Sequence, residues 1–229
     1  MSEQPSVQPS PESWVPLPPD QRRVLGVLIE KQKTSKSADA YPMSLNSITT
    51  GCNQKSNRDP VTDYSEDDVE ETLATLQRRG LVAKVTGSRV DRYRHLLYEV
   101  WKVTKVEMAV LAELLLRGPQ TEGDLRGRAS RMDEIKDVDE LRVILKGLAA
   151  RNLVVYLSPP ERRGTTLTHG FHTPDELSRA RQTAGASADV EPPPVRAAAP
   201  ALEARLAEAF DEIAKLKERV AKLEAARQG

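Results

Sequence analysis

The side chains in this sequence that could do chemistry fall into a histidine pair, a lone thiol, an acidic run and scattered basic clusters. His169 and His172 stand three apart, with His95 far upstream. Two ligands do not fix a metal, and no Cys, Asp or Glu stands at a convincing ligand spacing beside them. In a strand, residues three apart point to opposite faces, so the pair reads as hairpin surface. Cys52 falls on the apolar side of its segment and reads as packing. No glycine-rich phosphate loop, nucleophile elbow or HExxH helix is present. The expectation is a protein that is not an enzyme, with no metal and no cofactor.

The acids Glu66, Asp67, Asp68, Glu70 and Glu71 cluster behind Ser65. At a helix start they are ordinary capping chemistry. They also oppose DNA where a reading helix would meet phosphates. Basic residues lie elsewhere. Asn53, Gln54, Lys55, Ser56, Asn57 and Arg58 form a polar loop whose Lys55 and Arg58 read as an exposed cationic pair. Lys84, Arg89, Arg92 and Arg94 fall on one hairpin, and Arg162 and Arg163 on another. Such donors can hold phosphates without reading bases. The plainer alternatives are turn hydrogen bonds from Asn53, Asn57 and Asp59, and solvated strand edges that discourage pairing.

The elements that must position these residues are written twice. Leu76 to Val82 and Leu148 to Val154 match in pattern. Each follows a helical stripe, Val69, Leu73 and Leu76 in one case and Val138, Leu141, Leu145 and Leu148 in the other. Ser65 and Asp137 are the expected N-caps, and Gly80 and Asn152 the expected left-handed C-terminal residues. Upstream, the spacing predicts helices over 19–33 and 44–52, and again over 105–117 and 121–129. Downstream, it predicts strands at 81–85 and 153–157, each paired with a second β segment, at 90–101 and 164–172. Helix–helix–helix–hairpin repeated is a tandem winged-helix architecture, mainly α with small β wings, in the α+β class. The expected units are 19–101 and 102–172, each small enough to need a shared interface.

The run Tyr41-Pro42-Met43-Ser44-Leu45-Asn46, the loop Cys52 to Val61, and Leu114-Leu115-Leu116-Arg117-Gly118-Pro119-Gln120-Thr121 with Leu125-Arg126 resemble the hallmarks of the YceH-like family of bacterial proteins. The resemblance spans roughly Gln21 to His172. It implies a tandem winged-helix fold and carries no established activity.

Outside that core, composition decides. Residues 1–18 are rich in Pro, Ser and Gln and read as a disordered tail. Residues 173–200 turn to Ala, Pro, Ser and Thr and read as a linker. Residues 201–229 read as a coiled-coil helix, with Leu202, Leu206, Ile213, Leu216, Val220 and Leu223 at seam positions. That seam favours a parallel homo-oligomer over a helix folded back on its own chain. Lys and Arg total 34 and so do Asp and Glu, which excludes a polycation held to nucleic acid by bulk charge. No secretory signal and no membrane-length apolar stretch is read, so the expected location is the cytoplasm. Two functions follow: a DNA-binding regulator contacting double-stranded DNA through the 53–60 loop and wings, or an adaptor that binds a protein partner with its acidic helices.

Overall fold

A computed structural model describes residues 14–86, 90–160, 162, 164–188 and 217. Up to Ala186 the chain forms one compact unit. Of the second unit, which begins at Ser187, only Ser187, Ala188 and Lys217 are described.

The first half of the compact unit runs α1 (Pro19–Thr34), β1 (Met43–Ser44), α2 (Leu45–Cys52), α3 (Glu66–Arg78), β2 (Val82–Val85) and β3 (Arg92–His95). After α4 (Leu97–Trp101), the second half runs α5 (Lys105–Arg117), β4 (Gln120–Thr121), α6 (Glu122–Ala129), α7 (Val138–Ala150), β5 (Val154–Tyr156) and β6 (Thr166–His169). α8 (Pro174–Ala188) follows. Both sheets are antiparallel and have the same order, β1-β3-β2 and β4-β6-β5. The fold is therefore α+β, mainly helical with two small sheets.

Capping fixes where the helices begin. Ser65 and Asp68 form a reciprocal box at the start of α3, and Thr104 and Glu107 form another at α5. The Asp137 side chain accepts from the Glu140 amide at α7. Asn152 (φ 56°) and Gly80 (φ 69°) adopt the left-handed conformation after their helices, as the sequence predicts.

α1 and α5 depart from the one-sided stripes expected of them. Gln21 to Ile29 and Met108 to Leu116 are buried without interruption. A helix buried on every side lies at the centre of a core rather than at its edge. The two helices pack on each other and join the halves into one continuous core. Gly26 permits the approach: a Cβ there would sit 2.8 Å from Leu116 Cγ and Cδ2.

Three expected boundaries are corrected. The β segment read over 90–101 ends at His95, and 97–101 is helical because Leu97 and Trp101 bury one face four residues apart rather than alternating. The linker read over 173–200 begins instead as α8. Pro174 stands at its first position, and the Thr173 hydroxyl accepts from the Glu176 amide (3.2 Å) while Glu176 accepts from the Thr173 amide (2.9 Å). The disordered tail read over 1–18 is fixed from Trp14 onward: the Leu17 amide donates to the Phe171 carbonyl (3.0 Å), and Trp14 Nε1 donates to the Arg151 carbonyl (2.7 Å). Residues 1–13 lie outside the described residues.

His95 is enclosed as a neutral ring. Nε2 meets Gln32 Oε1 at 2.7 Å, and Nδ1 accepts from the Leu97 amide. Burial is the main force pushing its pKa down to about 4 from 6.5. Protonation therefore favours the unfolded chain: this contribution is whole above pH 6.5 and is lost as the pH falls from there toward 4, up to on the order of 3 kcal/mol. In urea titrations the His95→Gln protein should lose less stability between pH 7 and 4 than wild type. Gly26→Val should cost about 2 kcal/mol by overpacking the α1–α5 contact, seen as a lower melting temperature.

Candidate functional site: the 53–60 loop and the hairpins

The 53–60 loop leaves α2 and must reach α3 across the end of α5. Asn53 organises the far side of the turn. Its amide donates to the Tyr64 carbonyl (2.8 Å), and its Oδ1 accepts from the Tyr64 amide (2.8 Å) and the Thr62 hydroxyl (3.3 Å). Asn57 adopts a positive φ of 62°, and its Oδ1 accepts from Arg117 Nη2 at 2.5 Å. The Asp59 amide donates to the Leu116 carbonyl (3.0 Å). The two hallmark motifs of the sequence therefore contact each other across the junction of the halves.

Arg58 is a correction. The sequence reading made it half of an exposed pair with Lys55, yet its side chain is 0 % exposed. Nε donates to the Gly51 carbonyl (2.9 Å), and the two Nη atoms clasp the Glu30 carboxylate at 2.6 and 3.1 Å. A bidentate pair in so little water is strong because both partners have given up hydration. Arg58 fastens the loop to α1 and faces no solvent. Gln54 is half-buried, while Lys55 and Ser56 are exposed.

On the first hairpin, Arg92 Nη1 donates to the carbonyls of Asp39 and Pro42, both at 2.8 Å. Lys84 is neutralised by Asp91 at 2.6 Å, which also raises its pKa. Arg94 is exposed. On the second hairpin, Arg162 is exposed, with its backbone tied to Thr165. Arg89 and Arg163 lie outside the described residues, as do the seam positions Leu202, Leu206, Ile213, Leu216, Val220 and Leu223.

On α3, Glu66, Asp67, Asp68, Glu70 and Glu71 are all exposed. Glu66 accepts from Asn46 (2.9 Å). Hydrogen bonds from Ser65 lower the pKa of Asp68. On α7, Arg142 is occupied by Glu122 (3.0 Å) and Asp139 (3.1 Å), beside an exposed Val143.

The histidine pair is a second correction. His169 and His172 do not lie on opposite faces of a hairpin surface: both are largely buried and their rings stack at 4.0 Å. The alternation rule fails because β6 ends at His169 and the chain turns at Gly170. That turn packs so close to the Asn152 carbonyl that a Cβ on Gly170 would collide with it. Cys52 is fully buried, and burial pushes its thiol up to about 12, as suits a packing residue. Among the described residues no trio of His, Cys, Asp or Glu could hold a metal ion, and no helix is long and apolar enough to cross a membrane.

The sequence gives no sign of the roles of Arg22 and Arg23, whose partners are distant in the chain.

The class so defined is an α+β protein of two repeated helix–hairpin halves joined through a central helix pair. Residues 17–164 match the family described as "Protein of unknown function, DUF480", and the chain belongs to that family. This bears out the YceH-like resemblance. The chain is 47 % identical over 162 residues to UPF0502 protein RB6530 of Rhodopirellula baltica, covering 70 % of this chain and 67 % of that protein. It is 44 % identical over 166 residues to UPF0502 protein GSU0233 of Geobacter sulfurreducens, covering 71 % and 75 %. It is 38 % identical over 212 residues to UPF0502 protein Bcenmc03_4618 of Burkholderia orbicola, covering 91 % and 88 %.

Arg58→Ala should destabilise the protein by about 3 kcal/mol, because Glu30 is left without its partner. Lys55→Ala should stay within about 0.5 kcal/mol of wild type. Equal effects of the two on the urea midpoint would contradict the assignment of Arg58 to the fold.

Proposed function

We propose that the protein is a non-enzymatic tandem winged-helix adaptor whose α3 docks a basic segment of a protein partner, with its C-terminal helix setting oligomeric state. One observation carries the reading. The first half presents the carboxylates of α3 to solvent, while Arg58, Arg92 and Lys84 are committed to internal partners. Carboxylates at that position repel phosphates and attract Lys and Arg side chains. The exposed Val143 on α7, and Val85 and Val90 on the first hairpin, add apolar surface of the kind protein contacts use.

The second reading is a regulator that holds double-stranded DNA weakly through exposed Lys55, Arg94 and Arg162. Three such residues supply few phosphate contacts, so binding through them is weak and steeply salt-sensitive.

Charge reversal at Asp67, Glu70 and Glu71 leaves the Ser65–Asp68 cap intact. Complexes purified from cells after nuclease treatment should retain a basic protein partner with wild type and lose it with the D67K/E70K/E71K protein. A partner kept by the variant overturns the α3 contact. Salt-sensitive duplex binding that Lys55→Ala and Arg94→Ala abolish would favour the DNA reading.

A further inference from the structure

At the junction of the halves lies a cavity of about 280 Å³, between the first turn of α1, the end of the 53–60 loop, the C-terminus of α5 and the end of β6. Its wall gathers Arg22, Arg23, Arg117, His169 and His172, with Asp59 as a carboxylate on the same wall. Nearly every donor of this set is already occupied. Arg22 Nη1 meets His172 Nδ1 at 2.8 Å, and its Nη2 meets Glu176 at 2.7 Å. His172 Nε2 meets the Thr168 hydroxyl at 2.9 Å. Arg117 pairs with Glu113 and reaches Asn57.

Two groups on the wall stand apart. Arg23 is 3 % exposed; its Nη2 donates to the Pro60 carbonyl at 2.5 Å, but its buried Nη1 has no partner. Among the described residues the one other buried side-chain atom without a partner is Glu122 Oε1, whose twin oxygen holds Arg142 at 3.0 Å. Arg23 has no such carboxylate: among the described residues no ion pair holds its guanidinium, and Asp59 makes no hydrogen bond to it. Burial, followed by the nearby Arg58 charge, lowers its pKa. The other group is His169. Its Nδ1 accepts from the Phe171 amide (3.2 Å), so in the neutral ring the proton sits on Nε2. Among the described residues no hydrogen bond is made by Nε2.

We propose that this cavity is a binding site for a compact oxyanion, the phosphate or carboxylate group of a small molecule, held by the Arg23 guanidinium and the His169 ring on its wall. A buried guanidinium without a contacting anion carries a desolvation cost that a water cannot offset, since a water supplies an acceptor but no charge. An oxyanion supplies both, and charge-assisted bonds to guanidinium are the strong ones. The volume suits a small ligand and falls short of a drug-sized one. Its two halves of wall come from the two halves of the chain, so occupancy and docking of the halves are linked.

Thermal melts at constant ionic strength provide the test, with inorganic phosphate and acetate titrated against chloride. Phosphate or acetate should raise the melting temperature with the logarithm of anion concentration, by about 5 °C at ten times the dissociation constant. The stronger of the two identifies the anion class. Isothermal titration should give a dissociation constant on the order of 0.1–1 mM for the preferred anion. Arg23→Met should abolish both signals, and His169→Gln should weaken binding about tenfold or more. Should Arg23→Met fail to fold, His169→Gln and the wild-type titration decide alone. Stabilisation no greater than chloride gives, or affinity unchanged by His169→Gln, overturns the site.

Discussion

The contact of α1 with α5 is the constraint on which the remaining structure depends. Each half by itself is a few helices and a three-stranded sheet, with too little interior to enclose nine successive residues of a helix. Together they bury Gln21–Ile29 and Met108–Leu116 against one another. Each fully buried Leu, Ile or Val in that run contributes about 1.5–3 kcal/mol relative to exposure. The absence of a side chain at Gly26 sets how near the helices come. The N-terminal segment then lies along the second half, and α8 returns to α1 through the Arg22–Glu176 pair at 2.7 Å. Both are consequences of the same junction.

The junction also explains what three polar side chains in the most distinctive stretch of the chain do. Residues 53–60 bridge α2, α1 and the end of α5, and their polar side chains are spent on that bridge: Asn53 on the turn, Asn57 on Arg117, Arg58 on Glu30. What the bridge leaves between the halves is a small cavity with a guanidinium not fully matched. The face that looks outward is different in kind. α3 is acidic and exposed there.

Much of this was legible in the sequence, and the failures share a cause. Ser65 and Asp137 mark helix starts through local hydrogen bonds, and Gly80 and Asn152 mark ends through local backbone freedom, so these positions read correctly. The duplicated stripes predicted two equivalent halves, each with a hairpin, and missed the third strand of each sheet, β1 and β4. What failed required knowledge of distant partners. Arg58 looked exposed because its carboxylate is 28 residues away. His169 and His172 looked separated because their turn is enforced by the Asn152 backbone. Residues 174–188 looked like a linker because composition there hid one cap and one ion pair. Arg23 could not be singled out, since its significance is a bond it does not make within the protein.

The central claim is that the two halves are a single cooperative body, and both tryptophans report on their junction. Trp14 Nε1 holds the Arg151 carbonyl, and Trp101 stacks on Phe171 at 4.7 Å. Unfolding in urea, followed at once by tryptophan fluorescence and by far-ultraviolet circular dichroism, tests it most directly. Superimposable transitions with one midpoint are predicted. A fluorescence change complete at lower urea than the loss of helix would mean that the halves separate before they unfold, and would contradict the account.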